Sequence, residues 1–483
     1  MNKNVDPATQ WVILILLSVL AGTCLLIAVA FIRRWQQIRY RRYVHSLQRQ
    51  YRPVLAKVLS GAYSSSDVET LRQLPIPELE ILLEPVFSKR VLPDRCMRFL
   101  GRLCAELGLI ALWQRRANSG YSASRELTPD RGARGAGMRY ALRAKSLRNL
   151  GVLRHHPSWR LLVNALDNRD PEIQFVALRS LARLGAPESF PVLRDRLHAV
   201  VEGKATSPAV QGLRSTMIGF DVACLPVLLP SLGHANRLIR LHGAEILRMI
   251  VQREAARQPR LVLTTELLSP EMAELLLRNL AIDTSSAIRA CTAEIVVFLA
   301  DPRTAPVLRN LLHDQQWFVR MRTIRALPHL RQPVATLHLD LRECLRDPHW
   351  RVREAAIRAL IALGRKGKRQ LYEHFLTSRD RTSCEQIVEV IERTGLMSAL
   401  VEEYSVGTSG VEALMVEQLA SDAAPLGLSG ILRTLKPEIR QKFLDRILPY
   451  VEAHMRFLDE LKPDGESPIS LQHVLEFPPH LAA

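Results

Sequence analysis

The sequence predicts an all-α chain: a single N-terminal transmembrane helix followed by an α-solenoid of helix–turn–helix repeats. Three observations predict it. Leu, Ala, Arg and Glu dominate the 483 residues, and runs rich in Val, Thr and Tyr are nearly absent. Residues 11–32 form one uncharged apolar run. From residue 138 onward the chain repeats itself, which decides the fold. A hydrophobic fraction of 47% and a charged fraction of 24% are globular values and argue against wholesale disorder. Seven cysteines without a CxxC pair exclude a disulfide-dense secreted scaffold and the common zinc-ribbon pattern.

The net charge of +18 is concentrated in two stretches. Residues 33–60 carry eight basic groups and no acid. Residues 111–160 carry eleven basic groups against Glu126 and Asp130. The rest of the chain is close to neutral, unlike a uniformly basic nucleic-acid binder.

The first element is the run WVILILLSVLAGTCLLIAVAFI, Trp11 to Ile32. As a helix it is about 33 Å long, enough to cross a hydrocarbon core of roughly 30 Å. Trp11 and Trp35 are placed as interfacial anchors. Arg33, Arg34, Arg39, Arg41 and Arg42 follow directly, while the leading residues 1–10 carry only Lys3 and Asp6. Positive charge stays inside, so residues 1–10 are expected on the extracytoplasmic side and the remainder in the cytoplasm, at a bacterial inner membrane. Ala28-Val29-Ala30 resembles a signal-peptidase site, the rival reading. The length of the run, a leading segment that is not net positive and the Arg cluster behind it favour an anchor. With Trp35, Tyr40, Tyr43 and Tyr51 among its arginines, segment 33–60 reads both as a stop-transfer flank and as a helix lying on anionic headgroups.

Residues 33–116 are expected as a basic juxtamembrane and helical spacer, broken by Pro75, Pro77, Pro85 and Pro93. Residues 117–137 lack periodic apolar positions and read as a flexible linker. Gly132, Gly135 and Gly137 hint at a phosphate cradle, but no strand precedes them and no GK[ST] follows.

The repeats follow over residues 138–394. Their recurring segments are MRYALRAKSLRNLG (138–151), IQFVALRSLARLG (173–185), IRLHGAEILRMIV (239–251), IRACTAEIVVFLA (288–300), VRMRTIRALPHL (319–330) and VREAAIRALIALG (352–364). Each opens on an apolar residue, followed by Arg in five of the six. Ile239, Ile288, Val319 and Val352 lie 49, 31 and 33 residues apart, and an acidic turn often precedes them. Such a unit cannot bury its apolar face alone, so neighbours stack. Asp167, Asp283, Asp314 and Asp347 are placed to cap the second helix of each unit, and the following Arg to reach a neighbouring turn. The pattern resembles HEAT repeats, in particular the short bacterial subtype related to the phycobilin-lyase family; the resemblance is strongest at 277–364 and fades at 195–225. Residues 395–461 stay amphipathic but lose the signature, as a C-terminal helical cap, and 462–483 read as a tail.

No GxSxG, HExxH, Walker, kinase or GxGxxG element is present, and the histidines are scattered without ligand spacing. Glu402 and Glu403 are adjacent on a helix and point to different faces. The expectation is therefore a binding protein with no catalytic residue, metal or cofactor. Two surfaces are candidates for it. Trp317 and Trp350 sit two residues before the repeat's Val-Arg and should stack in adjacent units, giving with Arg320 and Arg353 either packing between repeats or a binding ridge. Arg139, Arg143, Lys145 and Arg148 form a basic face near the start of the repeats, toward a protein partner, lipid or plain solvent, with nucleic acid the least favoured.

What the HEAT resemblance implies is a membrane-anchored cytoplasmic scaffold or adaptor for unidentified protein partners. Bacterial inner-membrane HEAT proteins of similar layout imply, by analogy, envelope-polysaccharide machinery. The alternatives are an anionic-lipid-associated sensor or, less favoured, a HEAT-like enzyme of the bilin-lyase or DNA-glycosylase type.

Overall fold

A computed structural model describes residues 7–62, 64–88, 94–118, 132–263, 267–330, 337–407, 409–421 and 436–460. Among them every regular element is a helix, with one isolated bridge between Leu263 and Leu299 and no strand. The chain divides into two compact units, residues 1–193 with 203–219, and residues 194–202 with 220–483.

The first unit opens on α1 (Pro7–Ser60), a helix of 54 residues that the apolar run and the basic flank share. It is long and apolar enough at its first half to cross a membrane. The boundary at residue 33 is thus a change of chemistry and not of backbone. The basic flank continues the axis of the apolar run, which differs from a flank folded down as a separate surface helix. Behind it come α2 (Ser65–Arg72), α3 (Ile76–Ser88), α4 (Asp94–Glu106) and α5 (Leu109–Asn118). Ser64 and Asp67 close a reciprocal capping box at the start of α2, which satisfies two otherwise orphaned N–H groups. Pro85 does not break α3 as expected; it lies inside the helix, where helical backbone continues to Ser88.

The distal end of α1 docks on these helices. Tyr51, Val54 and Leu55 pack against Val68, Leu71, Leu79, Leu82 and Leu103. A second cluster gathers Phe87, Leu100, Cys104, Leu109, Leu150 and Leu153 around Trp113, which is fully buried. The Phe87 and Trp113 rings meet edge to face at 5.6 Å. Trp113 Nε1 donates to Glu80 Oε1 at 2.7 Å, and Arg116 Nη1 donates to the same oxygen at 2.7 Å.

The unit continues with α6 (Gly132–Val152), α7 (Trp159–Asn164), α8 (Pro171–Leu184), α9 (Ser189–Val201), within which the division between units falls, and α10 (Val210–Met217). Of the stretch read as a linker, 119–131 lie outside the described residues and 132–137 are the first turns of α6. Helix α6 crosses α8 at Gly151, where a Cβ would come within 2.5 Å of Ser180 Cβ. Glycine is what permits this approach.

The second unit contains α11 (Leu229–Leu232), α12 (Arg237–Arg257), α13 (Pro270–Glu274), α14 (Ser286–Val296), α15 (Thr304–Leu312), α16 (Trp317–Ala326), α17 (Leu337–Cys344), α18 (Trp350–Ala362), α19 (Arg365–Thr377) and α20 (Arg381–Arg393). It ends with α21 (Leu396–Val406), α22 (Val411–Ser421) and α23 (Pro437–Glu460). The even-numbered helices from α12 to α20 pack each on the next, and α15, α17 and α19 form the second layer against them. This is the stacking that the repeated apolar openings predict: Ile239, Ile288, Val319 and Val352 are all fully buried. The predicted tail, 462–483, lies outside the described residues.

Candidate functional site

The turns between the layers are held by one device, repeated. Arg240 pairs with Asp283 through Nε at 2.8 Å and Nη2 at 3.3 Å. Arg289 grips Asp314 at 2.6 and 2.9 Å, and Arg320 grips Asp347 at 2.7 and 2.9 Å. In each case Nη1 turns back to the carbonyl six residues earlier: His234, Asp283 and Asp314. Arg353 closes the series on Gln386 Oε1 at 2.9 Å and on the Asp347 carbonyl. In α8, where Gln174 takes the arginine's place, its Nε2 donates to the Asn168 carbonyl, again six residues back.

Asp283, Asp314 and Asp347 therefore do not cap the following helices, which corrects the expected role. Each accepts from the N–H two residues on, at Ser285, Gln316 and His349, the N-cap residues immediately before the helices. The expected reach of Arg to a neighbouring turn is what the structure shows. Burial works against the Asp314 carboxylate, but hydrogen bonds from Arg289 and the Gln316 N–H outweigh it and hold the group below its ordinary value.

The pairing consumes Arg320 and Arg353, the two ridge arginines. The tryptophans behave differently. Trp317 and Trp350 occupy equivalent first positions of α16 and α18, with His349 between them. The imidazole stacks flat on Trp317, centroids 3.9 Å apart and planes 2° apart, and faces Trp350 at 6.4 Å. Its Nδ1 accepts from the Arg351 N–H at 3.3 Å and so caps α18. The Arg351 guanidinium lies 5.5 Å from the Trp317 ring and 5.1 Å from that of Trp350. Trp350 remains 52% exposed. His349 and Arg351 were legible only as neighbours of Trp350; nothing in the sequence says that they fill the space between the two indoles.

A second surface of this unit is a cleft of about 470 Å³ at the ends of α12, α14 and α16, lined by Gln252, Pro259, Glu294, Phe298, Arg325 and His329 among others. Glu294 Oε2 accepts from Arg248 Nη1 at 3.0 Å and from Gln252 Nε2 at 2.9 Å, and Arg322 stands 3.7 Å from Oε1. Glu294 is thus engaged by two arginines and a glutamine.

In the first unit the candidate basic face is largely spent on internal pairs. Lys145 Nζ lies 2.9 Å from Glu84, whose other oxygen takes the Arg148 guanidinium. Arg143 Nε donates to the Ala117 carbonyl at 3.1 Å. The side chain of Arg139 lies outside the described residues. Sequence reasoning missed Glu84 because it is 64 residues from Arg148. The flank arginines are the opposite case: Arg33, Arg34, Arg39, Arg41 and Arg42 are all exposed on α1, and Arg39 lies over the Trp35 ring at 4.8 Å.

No group of three or more His, Cys, Asp or Glu suited to a metal occurs among the described residues. Burial pushes the Cys104 and Cys344 thiols up to about 12 and Cys291 to about 11, which leaves them unreactive.

Residues 273–360 match a family described as HEAT repeats, which spans α13 to α18. None of the curated proteins compared matches the chain. Among solved structures, Kap121p is similar at 12% identity over 88% of this chain and 47% of its own, with a TM-score of 0.39. The chain thus spans about half the length of Kap121p. The E. coli protein YibA is similar at 15% identity over 75% of this chain and 99% of its own, with a TM-score of 0.28. Human deoxyhypusine hydroxylase is similar at 13% identity over 72% of this chain and 98% of its own, with a TM-score of 0.22.

Proposed function

We propose, from the premise that residues 273–360 are HEAT repeats in an all-helical chain, that this protein is a membrane-anchored scaffold whose repeats bind a protein partner at the cytoplasmic face of an inner membrane. The observation that carries the binding role is the Trp317, His349, Trp350 and Arg351 edge. The repeats satisfy their own turns with the Arg–Asp pairs, so the stacking of α16 and α18 does not need a half-exposed indole. An aromatic residue with an arginine over it is the composition that binding hot spots favour. Anchoring through α1, with the N-terminus outside, rests on the apolar run and on the arginines behind it. Envelope-polysaccharide machinery is the partner class that the analogy suggests.

The test is affinity purification of the tagged full-length chain from gently solubilised membranes. Trp350→Ala should lower recovery of a stoichiometric partner tenfold or more, while the unfolding free energy changes by less than about 0.5 kcal/mol, as for an exposed position. Equal recovery with the variant would remove this edge from the interface. A folded wild-type chain that comes out alone would count against the scaffold itself.

A second reading, an anionic-lipid-associated sensor, is favoured by one observation. The flank arginines are exposed with no acid in their own segment. At roughly 1 kcal/mol per basic residue near an anionic surface, a chain lacking residues 1–32 should float with phosphatidylglycerol liposomes at physiological salt. Failure of the folded chain to do so reduces the membrane role to the anchor.

A further inference from the structure

We propose that the groove between α1 and α3 is a docking site for an acidic amphipathic helical segment of a partner protein. The groove encloses about 580 Å³. Its wall on α1 consists of His45, Gln48, Arg49, Arg52, Leu55 and Ala56. These positions recur at three- and four-residue intervals and so form one stripe of the helix, about 16 Å long. The facing wall on α3 is Leu82, Pro85 and Val86. The stripe is cationic at its membrane-proximal end and apolar toward its distal end.

Charge complementarity selects the occupant. No acid lines the groove. The acids of α3 nearest to it are already engaged: Glu78 accepts from the Tyr43 hydroxyl, Glu80 from Trp113 and Arg116, and Glu84 from Lys145 and Arg148. Arg49 and Arg52 stay exposed, and among the described residues neither has an acidic partner. A linear stripe with an apolar floor and a basic rim matches a helix that carries acids beside an apolar face.

Height along α1 argues against lipid as the occupant, a point that rests on the anchor reading. His45 lies thirteen residues beyond Ile32, about 20 Å along a helix axis. The interfacial layer on each side of the hydrocarbon core is only about 5–8 Å thick. Arg33 and Arg34 sit in that layer, Arg39 to Arg42 stand about 10–15 Å from the core along the axis, and the groove lies farther out still.

The experiment uses the full-length chain in neutral detergent micelles and fluorescence anisotropy of a labelled peptide of about five helical turns. Its polar face is Glu and its apolar face Leu. Two controls share its length: a Lys/Leu analogue and a shuffled Glu/Leu peptide that has lost the face. The Glu/Leu peptide should bind at least tenfold tighter than either, with an affinity that falls as salt rises. The R49E/R52E variant should lose at least tenfold, whereas Arg39→Glu, off the stripe, should bind as wild type. Arg52→Gln serves where the double variant loses its helical circular dichroism.

Equal binding of the shuffled or Lys peptide overturns the proposal, as does wild-type affinity in R49E/R52E. So does a result in which R49E/R52E abolishes association with phosphatidylglycerol vesicles and leaves peptide binding intact, since the arginines then serve lipid. The micelle assay does not depend on α1 spanning a bilayer. Carbonate extraction of native membranes tests that separately, so failure of the anchor and failure of the groove give different results.

Discussion

Asp314→Ala is expected to destabilise the second unit by about 3–5 kcal/mol, the range for removing one partner of a buried ion pair. Both side chains are mostly shielded, at 16% and 7% exposure for Arg289 and Asp314. The substitution leaves the Arg289 guanidinium without its bidentate acceptor and the Gln316 N–H without its carboxylate. Arg289→Ala also releases the Asp283 and Thr284 carbonyls that Nη1 holds. The two changes share one interaction, so the double variant should cost clearly less than the sum of the singles. Urea unfolding followed by circular dichroism reads all three. A loss below about 0.5 kcal/mol in either single variant would place the pair among surface ion pairs that contribute nothing measurable.

The pH dependence has a definite sign. The folded Asp314 carboxyl titrates below its ordinary value near 3.8, so the folded state favours the ionised form. Its stabilisation is complete above that value and disappears as the pH falls through the lower, folded one. Wild-type stability should therefore drop more steeply than that of Asp314→Ala on acidification below about pH 4, and the two curves should converge. Parallel curves would show that the pair does not couple to protonation.

Trp113→Ala is expected to cost the first unit about 3–5 kcal/mol, the range for truncating a buried large aromatic. The indole fills the centre of the cluster that joins α3, α4, α5 and α6, and its removal leaves a void between Phe87, Leu100 and Leu150. Trp113→Phe separates packing from polarity. It keeps an aromatic ring but removes the Nε1 donor to Glu80, which Arg116 still pairs, for a loss of about 1–3 kcal/mol. Hydrogen exchange should show the loosening in α3 to α6 while α14, α16 and α18 stay protected. Equal loosening of α14, α16 and α18 would contradict an effect confined to the cluster around Trp113.

The helices that open with Ile-Arg or Val-Arg were legible because their information is local. A buried Ile288 and an Arg289 reaching the next turn follow from periodicity and from one repeat's likeness to the next. The candidate surfaces were legible only in part. Arg143, Lys145 and Arg148 read as a solvent-facing basic patch because their acceptors, Glu84 and the Ala117 carbonyl, come from other helices of the unit. Pro85 read as a helix breaker, but α3 runs on past it. The two tryptophans were found by register, while the imidazole between them was not, because stacking is a relation between the start of α18 and the start of α16. Periodicity reports which face is buried; it is silent on which polar groups meet across helices.

The unbroken course of α1 from Pro7 to Ser60 makes angular phase a property of this protein. Pro53, where a helix can kink, lies beyond Arg52, so the stretch from the apolar run to Arg52 transmits rotation, and whatever fixes the azimuth of the apolar end also fixes the direction in which Arg49 and Arg52 point. One residue inserted between Ile38 and Arg39 would turn the groove by about 100° about the helix axis, and seven would return it to within about 20° of its starting bearing. Loss of partner engagement on the first insertion and recovery on the second would mark α1 as a torsional spacer, whereas a flexible tether would be indifferent to both.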